Sequence, residues 1–308
     1  MRALVSALLL SVLLAGCATP PQVLDLRRSA GDLPARMELA EVPFFPQEEY
    51  YCGPAALAMV LDWSGLTVTQ EDLAPQVYTP GREGTLQTDI LAAARRHGRL
   101  AVPVADLRSL LTELAAGNPV LIFQNLGLSA LPQWHYAVAT GYELESGTLV
   151  LHSGQEERHV VRFELFERTW ARADHWALAV LPPGRLPATA NLDAVLGAAL
   201  GIERAERPAE AATAYSAIAR KWPESYAAWM GLGNTRYALK DLAAAESAFH
   251  EAIKARPEAP QAWNNLAYAL MDQGRRGEAI EAAKRAVVLA GTQAEPYRAT
   301  LLELGAPN

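Results

Sequence analysis

Val42-Pro43-Phe44-Phe45-Pro46-Gln47-Glu48-Glu49-Tyr50-Tyr51-Cys52-Gly53-Pro54-Ala55-Ala56-Leu57-Ala58-Met59-Val60 is the stretch on which the fold and the chemistry of this chain turn. A proline- and aromatic-rich approach runs into Cys52-Gly53-Pro54, and the apolar, alanine-rich run behind it reads as a helix over Pro54 to Trp63. Proline is tolerated in the first helical turn because its missing N–H would have had no partner there. Gly65 closes the helix. Cys52 is thus placed at a helix start, where unsatisfied N–H groups and the macrodipole favour an anion and draw a thiol's pKa down. Gln47, upstream on the same loop, is a candidate donor to the oxyanion that forms when a thiolate attacks a carbonyl, beside the Cys52 backbone N–H.

A thiol nucleophile needs an imidazole to take and return the proton. Of six histidines, His135 is distinguished by its place at the start of the strand-like run His135-Tyr136-Ala137-Val138-Ala139-Thr140-Gly141-Tyr142, directly after Leu131-Pro132-Gln133-Trp134. Further strand patterns lie at Val120–Phe123, Thr148–His152, His159–Phe163 and Trp176–Leu181, and further helical ones at about 85–97 and 106–116. Helices first and strands after them is an α+β arrangement. Trp134 is expected to pack under its loop or to line a groove. Gly84-Thr85-Leu86 reads as a loop glycine and a helix cap.

Gln47, then Cys52-Gly53-Pro54-Ala55-Ala56 at a helix start, then His135 opening a strand that ends in Gly141-Tyr142, resembles the C39 family of cysteine peptidases over roughly residues 41–181. The resemblance implies a papain-like fold, a Cys52–His135 pair, and cleavage after small residues such as Gly-Gly. Two features depart from the family. The aspartate that orients the histidine is replaced in Leu149-Val150-Leu151-His152-Ser153-Gly154, leaving Ser153 as an uncharged acceptor, with Asn125 and Asp174 as other candidates. The five-residue step from Gln47 to Cys52 is one shorter than the family's. His152 and His159 straddle a turn without a third ligand at recognisable spacing, so no metal and no cofactor is expected.

Beyond Pro182-Pro183-Gly184-Arg185-Leu186-Pro187 the chain is helical and repeats itself. Trp229 and Trp263, Ala245 and Ala279, and Pro223 and Pro257 are each 34 residues apart. This is the period of tetratricopeptide repeats. The repeats are placed at about 192–225, 226–259 and 260–293, with a capping helix after them and a degenerate first repeat that has Val195 where the tryptophan belongs.

The N-terminus reads as an export signal. Arg2 precedes an apolar stretch from Ala3 to Ala15, too short to span a bilayer, and Leu14-Ala15-Gly16-Cys17 resembles the lipobox of bacterial lipoproteins. The expected layout is a signal peptide at 1–16, a lipidated Cys17 with a tether at 17–40, a C39-like domain at 41–181, a linker at 182–190 and an all-α tetratricopeptide domain at 191–308. Cys17 and Cys52 are the two cysteines, so acylation of Cys17 leaves Cys52 as a lone thiol. A net charge of −7 with no clustered basic run gives no footprint for nucleic acid. The expectation is a peptidase held at the outer membrane by lipid, facing the periplasm, with repeats that recognise a protein partner. A silent peptide-binding scaffold, or cysteine chemistry on another amide such as a peptidoglycan crosslink or a transglutamination, are the other readings.

Overall fold

The computed structural model describes residues 19–47 and 51–305. The signal peptide and Cys17 lie outside them. By contacts the chain divides into two units, one of residues 1–86 and 103–179 and the other of 87–102 and 180–308. Residues 87–102, which lie within the span 41–181, group by contacts with the second unit.

In the first unit the helix α1 (Pro21–Arg28) and the strand β1 (Arg36–Glu38) occupy the stretch expected to be a tether. Two short elements with only Val23 and Leu26 buried in the helix leave too little periodicity to see in sequence. α2 (Cys52–Trp63) begins at the cysteine itself, and Gly53 through Leu61 are all buried. A helix that is apolar all round must be enclosed. α3 (Gln70–Val77), β2 (Tyr78–Thr79) and β3 (Gly84–Thr85) follow; α4 (Gln87–Arg96) and most of β4 (Leu100–Pro103) belong to the second unit, and α5 (Leu107–Ala115) returns to the first. Then come β5 (Val120–Asn125), β6 (Trp134–Glu143), β7 (Thr148–Ser153), β8 (Glu156–Arg162), α6 (Phe163–Ala171) and β9 (Ala177–Leu181).

The sheet carries these strands in the order β9, β5, β6, β7, β8. β6 is its spine. Residues 134–139 pair with β5, residues 138–143 pair with β7, and residues 141–143 also take β1. Gly141 is needed where β1 crosses, because a Cβ there would lie 2.6 Å from the Met37 carbonyl oxygen. α1 is tied down by Gln22, whose Oε1 accepts from the first backbone N–H of α5 at Leu107 (2.6 Å), and by the Arg27–Glu164 ion pair.

The second unit contains α7 (Leu192–Arg204), α8 (Pro208–Lys221), α9 (Tyr226–Ala238), α10 (Leu242–Ala255), α11 (Pro260–Asp272), α12 (Arg276–Ala290) and α13 (Glu295–Glu303). Its repeat signature has a steric reason. A Cβ at Gly231 would lie 2.5 Å from the Tyr215 ring, and one at Gly233 would lie 2.4 Å from the Phe249 ring. One repeat later the same two places as Gly233 and Phe249 are Ala267 and Ala283. Where the ring is lost, the glycine is no longer required. Trp229 and Trp263 each donate their indole N–H to a carbonyl six residues upstream, at Pro223 (2.8 Å) and Pro257 (3.1 Å), fixing the same inter-repeat turn twice.

Gly233→Ala is therefore expected to destabilise the full chain by about 1–3 kcal/mol through overpacking against Phe249. Denaturant unfolding followed by circular dichroism checks this, and adding Phe249→Leu to make room should recover part of the loss.

Candidate active site

The site forms where the ladder between β6 and β7 stops. Its last pair is Val138 with His152, so at Tyr136 the edge of β6 away from β5 has no strand beside it. Buried backbone donors and acceptors must still be satisfied. The Gln47 side chain enters the gap: its Nε2 donates to the Tyr136 carbonyl (3.3 Å) and its Oε1 accepts from the Gly154 N–H (3.1 Å). The loop itself is fixed by the Gln47 N–H donating to the Gly154 carbonyl (3.0 Å) and by Gln155, whose amide donates to the Gln47 carbonyl. The N–H of the same Tyr136 serves the Cys52 sulfur, together with the N–H groups of Gly53 and Cys52. One residue's main chain thus holds both the thiol and the amide.

His135, the residue before, places its Nε2 2.8 Å from the Ser153 hydroxyl. Nδ1 is the ring nitrogen not used in that contact. Among the candidates for orienting the imidazole, the structure brings Ser153 to it and not the others. Asn125 accepts through Oδ1 from the N–H groups of Gly127 (3.0 Å) and Gln133 (2.9 Å) and so shapes the β5–β6 loop. Asp174 sits in the turn after α6 with a left-handed φ of 52°. His152 packs edge-on against Phe44 at 5.5 Å, and His159 meets Glu156 at 3.0 Å.

The electrostatics differ from the expectation of a depressed thiol. Burial pushes the Cys52 thiol up, and the N–H donors of Tyr136, Gly53 and Cys52 oppose it without overcoming it. Burial also drives the His135 imidazole down to about 4, with nearby His159 acting in the same direction. A desolvated site disfavours both charged forms. Burial therefore favours the thiol of Cys52 and the neutral imidazole of His135, each by itself. A helix start lowers a thiol's pKa when the sulfur is wet; here the loss of water outweighs it.

Residues 39–177 match the Peptidase_C39 like family, and residues 197–249 and 232–295 match the tetratricopeptide repeat family. The chain joins a C39-like domain to tetratricopeptide repeats. No curated protein matches it. Among solved structures, a Bacillus anthracis protein described as a C39-like peptidase is similar at 19% identity and a TM-score of 0.41, over 48% of this chain and 98% of that one. The type III secretion translocator chaperone SycD of Yersinia enterocolitica is similar at 18% identity and a TM-score of 0.36, over 37% of this chain and 91% of its own. The TPR2B domain of yeast Sti1, in a pHsp70 complex, stands at 15% identity and 0.36, over 37% and 95%.

Several residues around the candidate site carried no readable signal. Thr85 is not the helix cap expected of it. It lies against Gly53, where a Cβ would come within 2.4 Å of its Oγ1, and that hydroxyl is buried without a hydrogen-bond partner. Tyr136 donates its own hydroxyl to the Thr85 carbonyl (3.1 Å). A wall of rings, with Phe123 stacked on Trp134 at 5.2 Å and tilted on Tyr136 at 4.5 Å, flanks the histidine strand, and Trp134 keeps 51% of its surface exposed. The alternation of β6 sets that wall on one face of the strand, a pattern present in the sequence as Trp134 and Tyr136 around His135. Among the described residues no cluster of His, Cys, Asp and Glu could hold a metal ion.

An NMR titration of the ring protons is expected to place the His135 midpoint near 4. Ser153→Asp should raise it by about 1–3 units, because a carboxylate at that distance stabilises the imidazolium. Since the folded-state pKa lies below the ordinary value of 6.5, this residue favours the fold above that value and its contribution is lost as pH falls from 6.5 toward 4. A pH series of unfolding curves for wild type and His135→Gln reads that loss.

Proposed function

We propose that the chain is a cysteine peptidase working by general-base catalysis, with Cys52 as nucleophile, His135 as base and then acid, Ser153 as the group that orients the ring, and Gln47 as an oxyanion donor. The observation that carries this reading is the shared anchor at Tyr136. It sets the sulfur and the Gln47 amide on one main-chain edge, while the Ser153 contact turns Nδ1 of His135 free of other duty.

In the first step the thiol proton passes to Nδ1 as the sulfur attacks the scissile carbonyl carbon. The carbonyl electron pair moves onto oxygen, where the Cys52 N–H and the second Nε2–H of Gln47 receive the oxyanion. Collapse of the tetrahedral species breaks the C–N bond, and the imidazolium gives its proton to the leaving amine. Water then attacks the thioester, His135 takes its proton, and the sulfur leaves and recovers the proton as a thiol. Ser153 holds the ring through a neutral hydrogen bond, so the imidazolium formed in transit has less support than a carboxylate would give. A slow enzyme is the expected consequence.

The same observation favours a second reading. With a raised thiol, a lowered imidazole and no carboxylate, the domain is also suited to binding a peptide without cutting it. The repeats support recognition of a protein partner in either case. We further infer that Cys17 is lipidated and tethers the protein to the outer membrane with its domains in the periplasm, a reading that rests on the Leu14-Ala15-Gly16-Cys17 motif and the Ala18-Thr19 that follows it. Among the described residues no helix is long and apolar enough to cross a membrane.

Labelling with a peptidyl acyloxymethyl ketone separates peptidase from scaffold. The peptidase reading expects covalent modification of Cys52, slowed about 10²–10⁴-fold by His135→Ala, the range for loss of a general base. Equal labelling rates with and without His135 would leave the scaffold. Metabolic labelling with a clickable fatty acid should mark the wild type and not Cys17→Ser; a mark on neither removes the anchor.

A further inference from the structure

The loop between β5 and β6, Leu126-Gly127-Leu128-Ser129-Ala130-Leu131-Pro132-Gln133-Trp134, lies in a stretch from Pro119 to Tyr142 that has no Asp, Glu, Lys or Arg. Among the described residues its Leu131 and Leu128 are the most exposed large apolar side chains, at 78% and 70%, and Leu126 and Trp134 are exposed beside them. The backbone beneath them is closed. Asn125 Oδ1 accepts at the base from Gly127 and Gln133, the Leu126 N–H donates to the Gln133 carbonyl (2.9 Å), and the Leu131 N–H donates to the Leu128 carbonyl (3.0 Å). A Cβ at Gly127 would lie 2.4 Å from the Leu131 carbonyl oxygen, so the tip closes this tightly only over a glycine. With its main chain satisfied from within, the loop offers a neighbour side chains alone, and it projects where a peptide would need a groove.

The Thr19 end of α1 lies at the same end of the first unit as this loop. α1 packs against α5 and α6. Its last turn is paired with the first turn of α6 through Arg27 and Glu164, so the two helices run in opposite directions and the start of α1 lies beside the end of α6. There Arg172, the residue after α6, donates to the Asn125 carbonyl at the base of the loop (2.9 Å). Gln22 gives the same placement. It holds the N–H of Leu107 at the start of α5, and Val104 just before donates to the carbonyl of Ala177, the strand partner of Ile122 near the end of β5. Pro20 is already buried. The reach from Thr19 back to Cys17 is two residues, about 7 Å at full extension. A lipid on Cys17 therefore brings this end of the unit to a bilayer.

We propose that the β5–β6 loop seats in the lipid surface to which Cys17 is anchored, with Leu128 and Leu131 entering the acyl layer and Trp134 stopping at headgroup level. The inference rests on the lipidation of Cys17. A ring that is apolar in body and polar at one edge favours that level. A loop without charge avoids the penalty that an ionised side chain carries into lipid. Asp106 at the start of α5 and Asp174 after α6 lie at this end but off the loop, so a zwitterionic surface suits it better than an anionic one. One apolar loop is a weak contact by itself, and it gains strength where an anchor already supplies proximity. His135 follows Trp134 directly in β6, so the seated loop holds the Cys52–His135 pair at the membrane surface.

The test uses the chain from Ala18 to its C-terminus, with a hexahistidine tag standing in for the lipid, bound through the tag to phosphatidylcholine vesicles that carry a nickel-chelating lipid and brominated acyl chains. Bromine quenches an indole that reaches the acyl boundary. The wild type is expected to be quenched more than Trp134→Phe, and that difference should be lost when Leu128→Ser and Leu131→Ser are introduced together into both. The two leucines are exposed, so circular dichroism should not change with the serines. Equal quenching of wild type and Trp134→Phe, or a difference that survives the two serines, would overturn the proposal. Absent quenching, with slower labelling of Cys52 by the peptidyl acyloxymethyl ketone in the serine variant free of vesicles, assigns the loop to the peptide and also overturns it. Because the tag replaces the lipid, an unmarked Cys17 and an unquenched loop are separate results: the first removes the anchor and the second removes the seating of the loop.

Discussion

At Tyr136 the backbone of β6 runs past the end of β7, and its N–H and C=O would be left in a dry interior without a partner. Two side-chain groups fill the vacancy, the Cys52 sulfur on the N–H and the Gln47 amide on the C=O. An orphaned buried amide costs about 1–3 kcal/mol, so the arrangement is held by the same force that closes a sheet. Gln47 reaches on to the Gly154 N–H and thereby continues the ladder in side-chain form. From this one edge the rest of the site follows. His135 is the adjacent residue on the strand, Ser153 is the adjacent residue to Gly154 on the turn, and α2 must begin at Cys52 because the sulfur is already placed. Gly53 is constrained as well, since Thr85 fills the volume a side chain would use.

Holding the thiol in place takes it out of water, and the balance of charge in the site is set by that. Three N–H groups favour a thiolate and burial favours a thiol, with burial the larger. The imidazole is pushed the same way, toward neutrality. A carboxylate in place of Ser153 would support the imidazolium and, through it, the thiolate. With a hydroxyl there, separated charge is expected to appear only during the reaction, once a substrate carbonyl can share it. The low imidazole pKa is set by burial, and the Ser153 hydroxyl meets the ring with a neutral hydrogen bond where the resemblance to C39 peptidases would place a carboxylate.

How much of this could be read from the chain depended on whether an element announces itself locally. The 34-residue period marked the repeats because its pattern has steric causes, a glycine under a ring and an indole on a proline carbonyl. The places of Cys52 at a helix start and of His135 at the opening of a strand were legible from residue type. Ser153 was legible as a departure. The two-turn helix α1 was not, since Val23 and Leu26 alone do not make a period. α6 was hidden because Phe163, Phe166 and Trp170 give an apolar, aromatic run that follows a strand without a capping side chain. Thr85 and Tyr136 act through volume and through main chain, which leave no mark in a sequence.

The repeats show the same logic in a second setting. Gly233 with Phe249 becomes Ala267 with Ala283, so that the helix spacing is kept by exchanging a ring and a gap for two methyl groups. In the first repeat the gap is kept at Gly201 and the group that fills it is the Arg95 guanidinium, from α4. A degenerate outer repeat is commonly explained as a polar cap. Here a cap would be served by any side chain that faces water, whereas a buried, unpartnered Nε over a glycine is a costly way to end a solenoid. At the corresponding positions of the next two repeats stand Thr235 and Ala269, so of the three repeats the first has the glycine there, and a side chain from α4 rests against it.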